Sequence, residues 1–152
     1  MRSIRESPMI ATMESMSSKS NVWLVVEDDD DDFFLLCRAC ALAFDPQPLI
    51  HREVDGSADR QFLSNNPGTP KLIVSDLKMP NMDGLELLQW VRSQDALSQV
   101  RFIMLSNSNA ERDLDAARAF GVDDYMVKPS DISTFTQLVQ KMEPPGELKD
   151  RL

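Results

Sequence analysis

Five short runs, mostly apolar and each followed by residues at helical spacing, constrain this chain more than any other feature. They are Val22 to Val26, Leu49 to Val54, Leu72 to Val74, Val100 to Leu105 and Tyr125 to Val127. Apolar runs of this length read as strands buried on both faces. Strands alternating with amphipathic helices predict an α/β doubly wound parallel sheet, with helices on both faces. The third run is the pivot. It stops at Ser75-Asp76, and a Met-Pro-Asn-Met-Asp-Gly turn leads into Leu85, Leu87, Leu88 and Val91 at helical spacing. Open α/β sheets bind ligands at the carboxyl ends of their strands, which is where this pattern puts Asp76. Alone, an Asp there is more often a turn or cap residue. Partners at other strand ends would change that.

The first run supplies them, because it ends in the six consecutive acids Glu27 to Asp32. Asp30 to Asp32 read as a solvated helix start favoured by the helix dipole. Glu27 and Asp28 follow the strand directly and share a crevice with Asp76 if the two strands are neighbours. A calcium loop counted from Asp28 is excluded, since Phe33 stands where an EF-hand needs Gly and Ala39 where it needs Glu. The next helix has Phe33, Leu36, Cys37, Cys40, Ala41 and Phe44 on its apolar face. Cys37 and Cys40 are the only cysteines. Mid-helix on that face, they read as small core residues rather than a redox pair or half a zinc site.

Leu49 to Val54 is the most polar run and suits an edge; its His51 is the only histidine and reads as a packing or surface residue. A helix is expected over Ser57 to Asn65. The fourth run ends at Ser106-Asn107, and Ser108-Asn109-Ala110-Glu111 fits a capping box. The fifth ends at Lys128-Pro129, and Ser130 or Asp131 caps a last helix with Ile132, Phe135, Leu138, Val139 and Met142. One rim thus gathers Glu27, Asp28, Asp76, Ser106 and Lys128.

The 152 residues fit one domain without disulfide or metal staples. A formal charge of -9, from 25 acidic against 16 basic residues, argues against nucleic-acid binding. Residues 1–20 read as a flexible extension, 21–143 as the domain and 144–152 as a tail. No run is long enough for a signal peptide core or a membrane span, so the expected location is cytoplasmic.

In order and spacing, VVEDD, SDLKMPNMDG, MLSNS and DYMVKPS resemble the receiver domains of two-component response regulators. The resemblance covers roughly residues 21 to 143 and implies the flavodoxin-like (βα)5 fold, strand order 2-1-3-4-5. It implies Asp76 as phosphoacceptor and Asp28 as a direct Mg²⁺ ligand. Glu27 would act through water, and the Lys78 backbone carbonyl would also meet the metal. Ser106 would hydrogen-bond the phosphoryl group, Lys128 would pair with it, and Tyr125 would be the aromatic switch residue. The chain would then be a phosphoacceptor rather than an enzyme in the ordinary sense, promoting at most its own phosphoryl transfer and dephosphorylation.

The chemistry is consistent with those roles. An aspartate attacking phosphorus among other carboxylates needs a hard cation on oxygen ligands. In-line positioning and charge stabilisation supply the rest, and the donor histidine belongs to the partner. That partner is a sensor histidine kinase, of the phytochrome type in the subfamily this chain most resembles, or a histidine phosphotransfer protein. With little chain after the last helix, output is expected through contact with a downstream protein, on the face of the fourth helix, fifth strand and fifth helix. Self-pairing into a homodimer stays open. X-Pro is the one kind of bond that adopts cis at tolerable cost. Lys128-Pro129 is accordingly expected to be cis, with Pro129 shaping a turn that carries the Lys128 ammonium over Asp76.

Two departures from the family pattern stand out. The acid pair is Glu-Asp instead of the commoner Asp-Asp, with Asp29 and Asp30 leaving the ligand register open by one residue, and Ser106 replaces the frequent Thr. Two rivals remain beside the resemblance. An aspartyl phosphatase would need an acid where Lys78 stands. A phosphorylation-independent interaction domain of the same fold would fail to bind Mg²⁺.

Overall fold

The computed structural model describes residues 21–66 and 68–143. The extension expected over 1–20 and the tail over 144–152 lie outside them. The strands are β1 (Val22–Val26), β2 (Leu49–Glu53), β3 (Leu72–Ser75), β4 (Arg101–Ser106) and β5 (Asp124–Val127). The helices are α1 (Asp30–Ala43), α2 (Gly56–Asn65), α3 (Gly84–Ser93), α4 (Glu111–Ala119) and α5 (Ile132–Met142). All strand pairings are parallel, as the alternating pattern predicts, in the order β2-β1-β3-β4-β5 that the resemblance implies.

Side-chain parity divides the core in two. Leu24, Val26, Ile73, Phe102 and Met104 face Leu63 of α2, Leu87, Leu88 and Val91 of α3, and Ala117 of α4. Trp23, Val25, Leu72, Val74, Ile103 and Leu105 face α1 and α5, where Leu36, Cys37, Cys40, Phe135, Val139 and Met142 are buried. Neighbouring strand residues thus serve opposite layers, which is why the runs are apolar throughout. The first helix rotates slightly from expectation: Ala39 is fully buried while Ala41 is exposed. Both thiols are buried and free, and burial pushes the Cys37 pKa up to about 11, which fits a packing role.

Three local expectations change. No capping box forms at Ser108 to Glu111; the N-cap of α4 is Ala110, and the Ser108 hydroxyl donates instead to Asp113 Oδ2 at 2.7 Å. A capping box closes α3, where Asp83 and Glu86 each accept from the other's backbone. Lys128-Pro129 is not cis; among the described residues the cis bond is Asp45-Pro46. The Lys128 N–H donates to the Ser106 carbonyl at 2.8 Å, continuing the β4–β5 ladder one residue past Val127. Strand parity alone therefore aims the side chain, without a special turn at Pro129.

Candidate functional site

The strand register places the candidate residues. Val26 pairs with Ser75, so Glu27 and Asp76 emerge side by side, and the Asp76 N–H donates to the Val26 carbonyl at 3.0 Å. By parity Glu27 follows Val25, Asp76 follows Val74 and Lys128 follows Met126, all residues of the α1/α5 layer. Three side chains from three strands therefore converge above that layer.

The convergence is tight. Lys128 Nζ lies 2.8 Å from Glu27 Oε1, 2.8 Å from Asp32 Oδ2 and 2.9 Å from Asp76 Oδ2. Its side chain is only 4% exposed. Asp76 is held at both oxygens, Oδ2 by the ammonium and Oδ1 by the Leu77 N–H at 2.7 Å. The chain can turn so closely beneath it because residue 84 is glycine: a Cβ there would collide with the Asp76 carbonyl oxygen and press on Met104 Sδ.

Burial would lower the Lys128 pKa, but the hydrogen bonds to Asp32, Glu27 and Asp76 outweigh it and raise the pKa overall. Glu27 moves up to about 7, chiefly by burial and further by the Asp76 charge, while Lys128 opposes the rise. One ammonium does not satisfy this many carboxylates.

Carboxylate oxygens of Glu27, Asp28 and Asp76 come within 4.8 Å of one another. An all-oxygen donor set with Glu27 and Asp76 largely buried and Asp28 exposed fits a hard dication with room for water, hence Mg²⁺. Lys78 is exposed two residues beyond Asp76, on the turn that follows β3.

Ser106 and Tyr125 do not join the acid cluster. Both engage the loop between β4 and α4, at the same residue: Ser106 Oγ accepts from the Ser108 N–H at 3.1 Å, and Tyr125 Oη donates to the Ser108 carbonyl at 2.8 Å. The sequence reading missed Asp32. An acid in a helix's first turn is expected to face solvent, but the first turn of α1 leans over the crevice and brings Asp32 to Lys128. Asp29 caps that turn by accepting from the Asp32 N–H, and Asp30 pairs with Arg52 at 2.8 Å. Arg52 also donates to the Glu27 carbonyl at 3.0 Å and lies over the Phe33 ring, tying β2 and α1 to the site.

Residues 23–140 match the response regulator receiver domain. The chain is 42% identical over 72 residues to a 14.6 kDa protein of the sodA1 3′ region in Leptolyngbya boryana, covering 47% of this chain and 55% of that protein. It therefore spans about half the length of that curated relative. Among solved structures, the phosphorylated cyanobacterial phytochrome response regulator RcpA superposes with a TM-score of 0.73 at 27% identity, over 81% of this chain and 91% of that one. The Mn²⁺-bound form of the response regulator Rcp1 gives 0.71 at 27%, over 80% and 91%.

Proposed function

Because the chain belongs to the response regulator receiver domain family, we propose that Asp76 accepts a phosphoryl group from a phosphohistidine on a partner protein. The observation that carries this reading is the Asp76 carboxylate at the end of the central strand, 2.9 Å from a buried ammonium and grouped with Glu27 and Asp28. An Asp76 carboxylate oxygen forms the new bond to phosphorus as the nitrogen–phosphorus bond of the donor breaks. Lys128, already at that carboxylate, meets the incoming phosphoryl charge.

Mg²⁺ held by Asp28 and Asp76, with Glu27 through water and the Lys78 carbonyl, would offset the charge gathered between donor and acceptor. Glu27 and Asp32 keep Lys128 protonated and in place before transfer. Response follows from the shared contact at Ser108. If Ser106 Oγ turns to hydrogen-bond the phosphoryl group, it gives up the Ser108 N–H, and the loop that holds Tyr125 is released on one side. The β4–α4 loop and Tyr125 then change the contacts that the α4, β5 and α5 face offers to a downstream protein or a second copy of the chain. Likeness to phytochrome response regulators supports a phytochrome-type histidine kinase as the donor. No helix among the described residues is long and apolar enough to cross a membrane.

Incubation with a small acyl phosphate, with and without Mg²⁺, tests the reading. A mass increase of one phosphate is expected only with Mg²⁺, and Asp76→Asn should lose it. Labelling that survives Asp76→Asn, or that ignores Mg²⁺, refutes the assignment.

A further inference from the structure

A lysine ammonium has three N–H donors, and Lys128 gives one to each of three carboxylates. Glu27 Oε1 and Asp32 Oδ2 accept at 2.8 Å and Asp76 Oδ2 at 2.9 Å, around a side chain that is 4% exposed. A further acceptor finds no donor free. A phosphoryl group on Asp76 brings strong acceptor oxygens and nearly two negative charges. It can inherit the donor that Asp76 held, because forming the acyl phosphate removes that carboxylate's charge. A second contact to the ammonium requires Glu27 or Asp32 to leave.

The two acids differ in how easily they go. The Glu27 side chain is 6% exposed, its Oε2 accepts from the Asp29 N–H at 3.1 Å, and it belongs to the carboxylate group fit for a metal. Turned away from Lys128, it would be a buried carboxylate without its cation. The Asp32 side chain is 36% exposed, on the first turn of α1. Its N–H is fixed on Asp29 Oδ1 at 2.9 Å, so a change of side-chain rotamer alone carries the carboxylate from the crevice into water. Nor does Lys128 need Asp32 in order to point at Asp76. The Lys128 N–H is on the Ser106 carbonyl, and Glu27 and Asp76 already hold the ammonium from two sides.

While it stays, Asp32 also opposes the reaction. Bound to one nitrogen, the Asp32 and Asp76 oxygens are no more than about 6 Å apart, and like charges at that distance in a largely buried crevice repel strongly. An arriving phosphoryl group meets the same repulsion. Asp31 is exposed on the same turn and carries the same charge, but it is not among the three partners of Lys128.

Resting on Asp76 as the acceptor, we propose that Asp32 is a positioning residue for phosphoryl transfer: it occupies the third donor of Lys128 before transfer, yields it to the phosphoryl group by turning into solvent, and thereby slows phosphate uptake. The first turn of α1 then responds to phosphorylation alongside the β4–α4 loop.

Uptake by the full chain from a small acyl phosphate at saturating Mg²⁺, followed by intact mass, tests this. Asp32→Asn should label about three- to tenfold faster than the wild-type chain. Asp32→Ala, which offers Lys128 no oxygen, should be at least as fast, whereas Asp31→Asn should change the rate by less than about twofold, since its charge is screened by solvent. In carbon resonance spectra, phosphorylation should move the Asp32 side-chain carboxyl signal and leave that of Asp31 in place. The inference is overturned if Asp32→Asn labels no faster than Asp31→Asn, or if the Asp32 carboxyl signal stays unmoved in the labelled chain. Both of those outcomes leave Asp76 as the acceptor. A wild-type chain that takes no phosphate at position 76 overturns the acceptor reading instead, and this inference with it.

Discussion

Two buried carboxyls on opposite faces of the sheet show what burial alone does and what partners add. Glu27, 4% exposed, lies on the α1/α5 side beside Lys128, Asp28 and Asp76. Asp59 of α2, 0% exposed, lies on the other side, and neither of its oxygens has a hydrogen-bond partner among the described residues. Burial raises both pKa values, helped at Glu27 by the Asp76 charge and at Asp59 by the Glu53 charge. Glu53 is itself paired with His51, which stacks on Phe62 of α2. Only Glu27 meets a cation and further acids at the spacing of a metal site. The first arrangement offsets buried charge with a cation and groups acids as a metal site would; the second leaves a buried acid unserved, which costs stability.

Removing the cation should separate the two most strongly. Lys128→Ala leaves Glu27 and Asp76 buried without their ammonium, and a loss of about 3 to 5 kcal/mol in urea unfolding is expected. Mg²⁺ should recover much of that loss if the same carboxylates hold it. A variant equally unstable with and without Mg²⁺ would mean that the acids do not form one site. Lys128→Ala should still accept phosphate, more slowly, yet show no phosphorylation-dependent change in self-association.

The opposite sign is expected at Asp59. Asp59→Asn should stabilise the chain at neutral pH by on the order of 1 to 3 kcal/mol, since it replaces a buried unpaired acid. Because the folded state raises this pKa, the group's contribution to stability is full below its unfolded value of about 3.9 and is lost as pH rises through the raised folded value. The gain from Asp59→Asn should therefore vanish near pH 4 and grow upward from there, and Mg²⁺ should leave it unchanged. Thermal melts from pH 4 to 8 decide this, and a gain independent of pH would show that Asp59 is not titrating.

The smallest effect is expected on the β4–α4 side, where Tyr125→Phe removes only the hydrogen bond to the Ser108 carbonyl. About 0.5 to 1.5 kcal/mol should be lost, with faster amide exchange at Ser108 to Ala110 and no change in Mg²⁺ affinity. Weakened Mg²⁺ binding would place Tyr125 in the acid site instead.

The strands were readable because buried parallel strands must be apolar on both faces, and the polar residues that interrupt them mark their ends; their order came from the resemblance, since apolarity does not say which strands are neighbours. Glu27, Asp76 and Lys128 were legible for that reason: each directly follows a strand, Asp76 once β3 is extended to Ser75, and parity then sends all three the same way. Asp32 was not, because whether a first-turn acid meets solvent or a crevice depends on how α1 leans over the sheet. Asp59 was hidden within a short polar helix whose buried stripe is narrow. The cap of α4 was misread for a related reason, since Ser108 has a nearer acceptor in Asp113 than the pattern reveals. At Lys128-Pro129 the ladder bond to Ser106 does the work that a cis turn was expected to do.

Chemical mapping of the modified residue tests the central claim most directly. Full-length chain treated with an acyl phosphate and Mg²⁺, then reduced with borohydride, should yield homoserine at position 76 and nowhere else in peptide mass spectra. Homoserine at Asp28 or Asp32, or no reduced residue at all in a chain that binds Mg²⁺, would contradict the account.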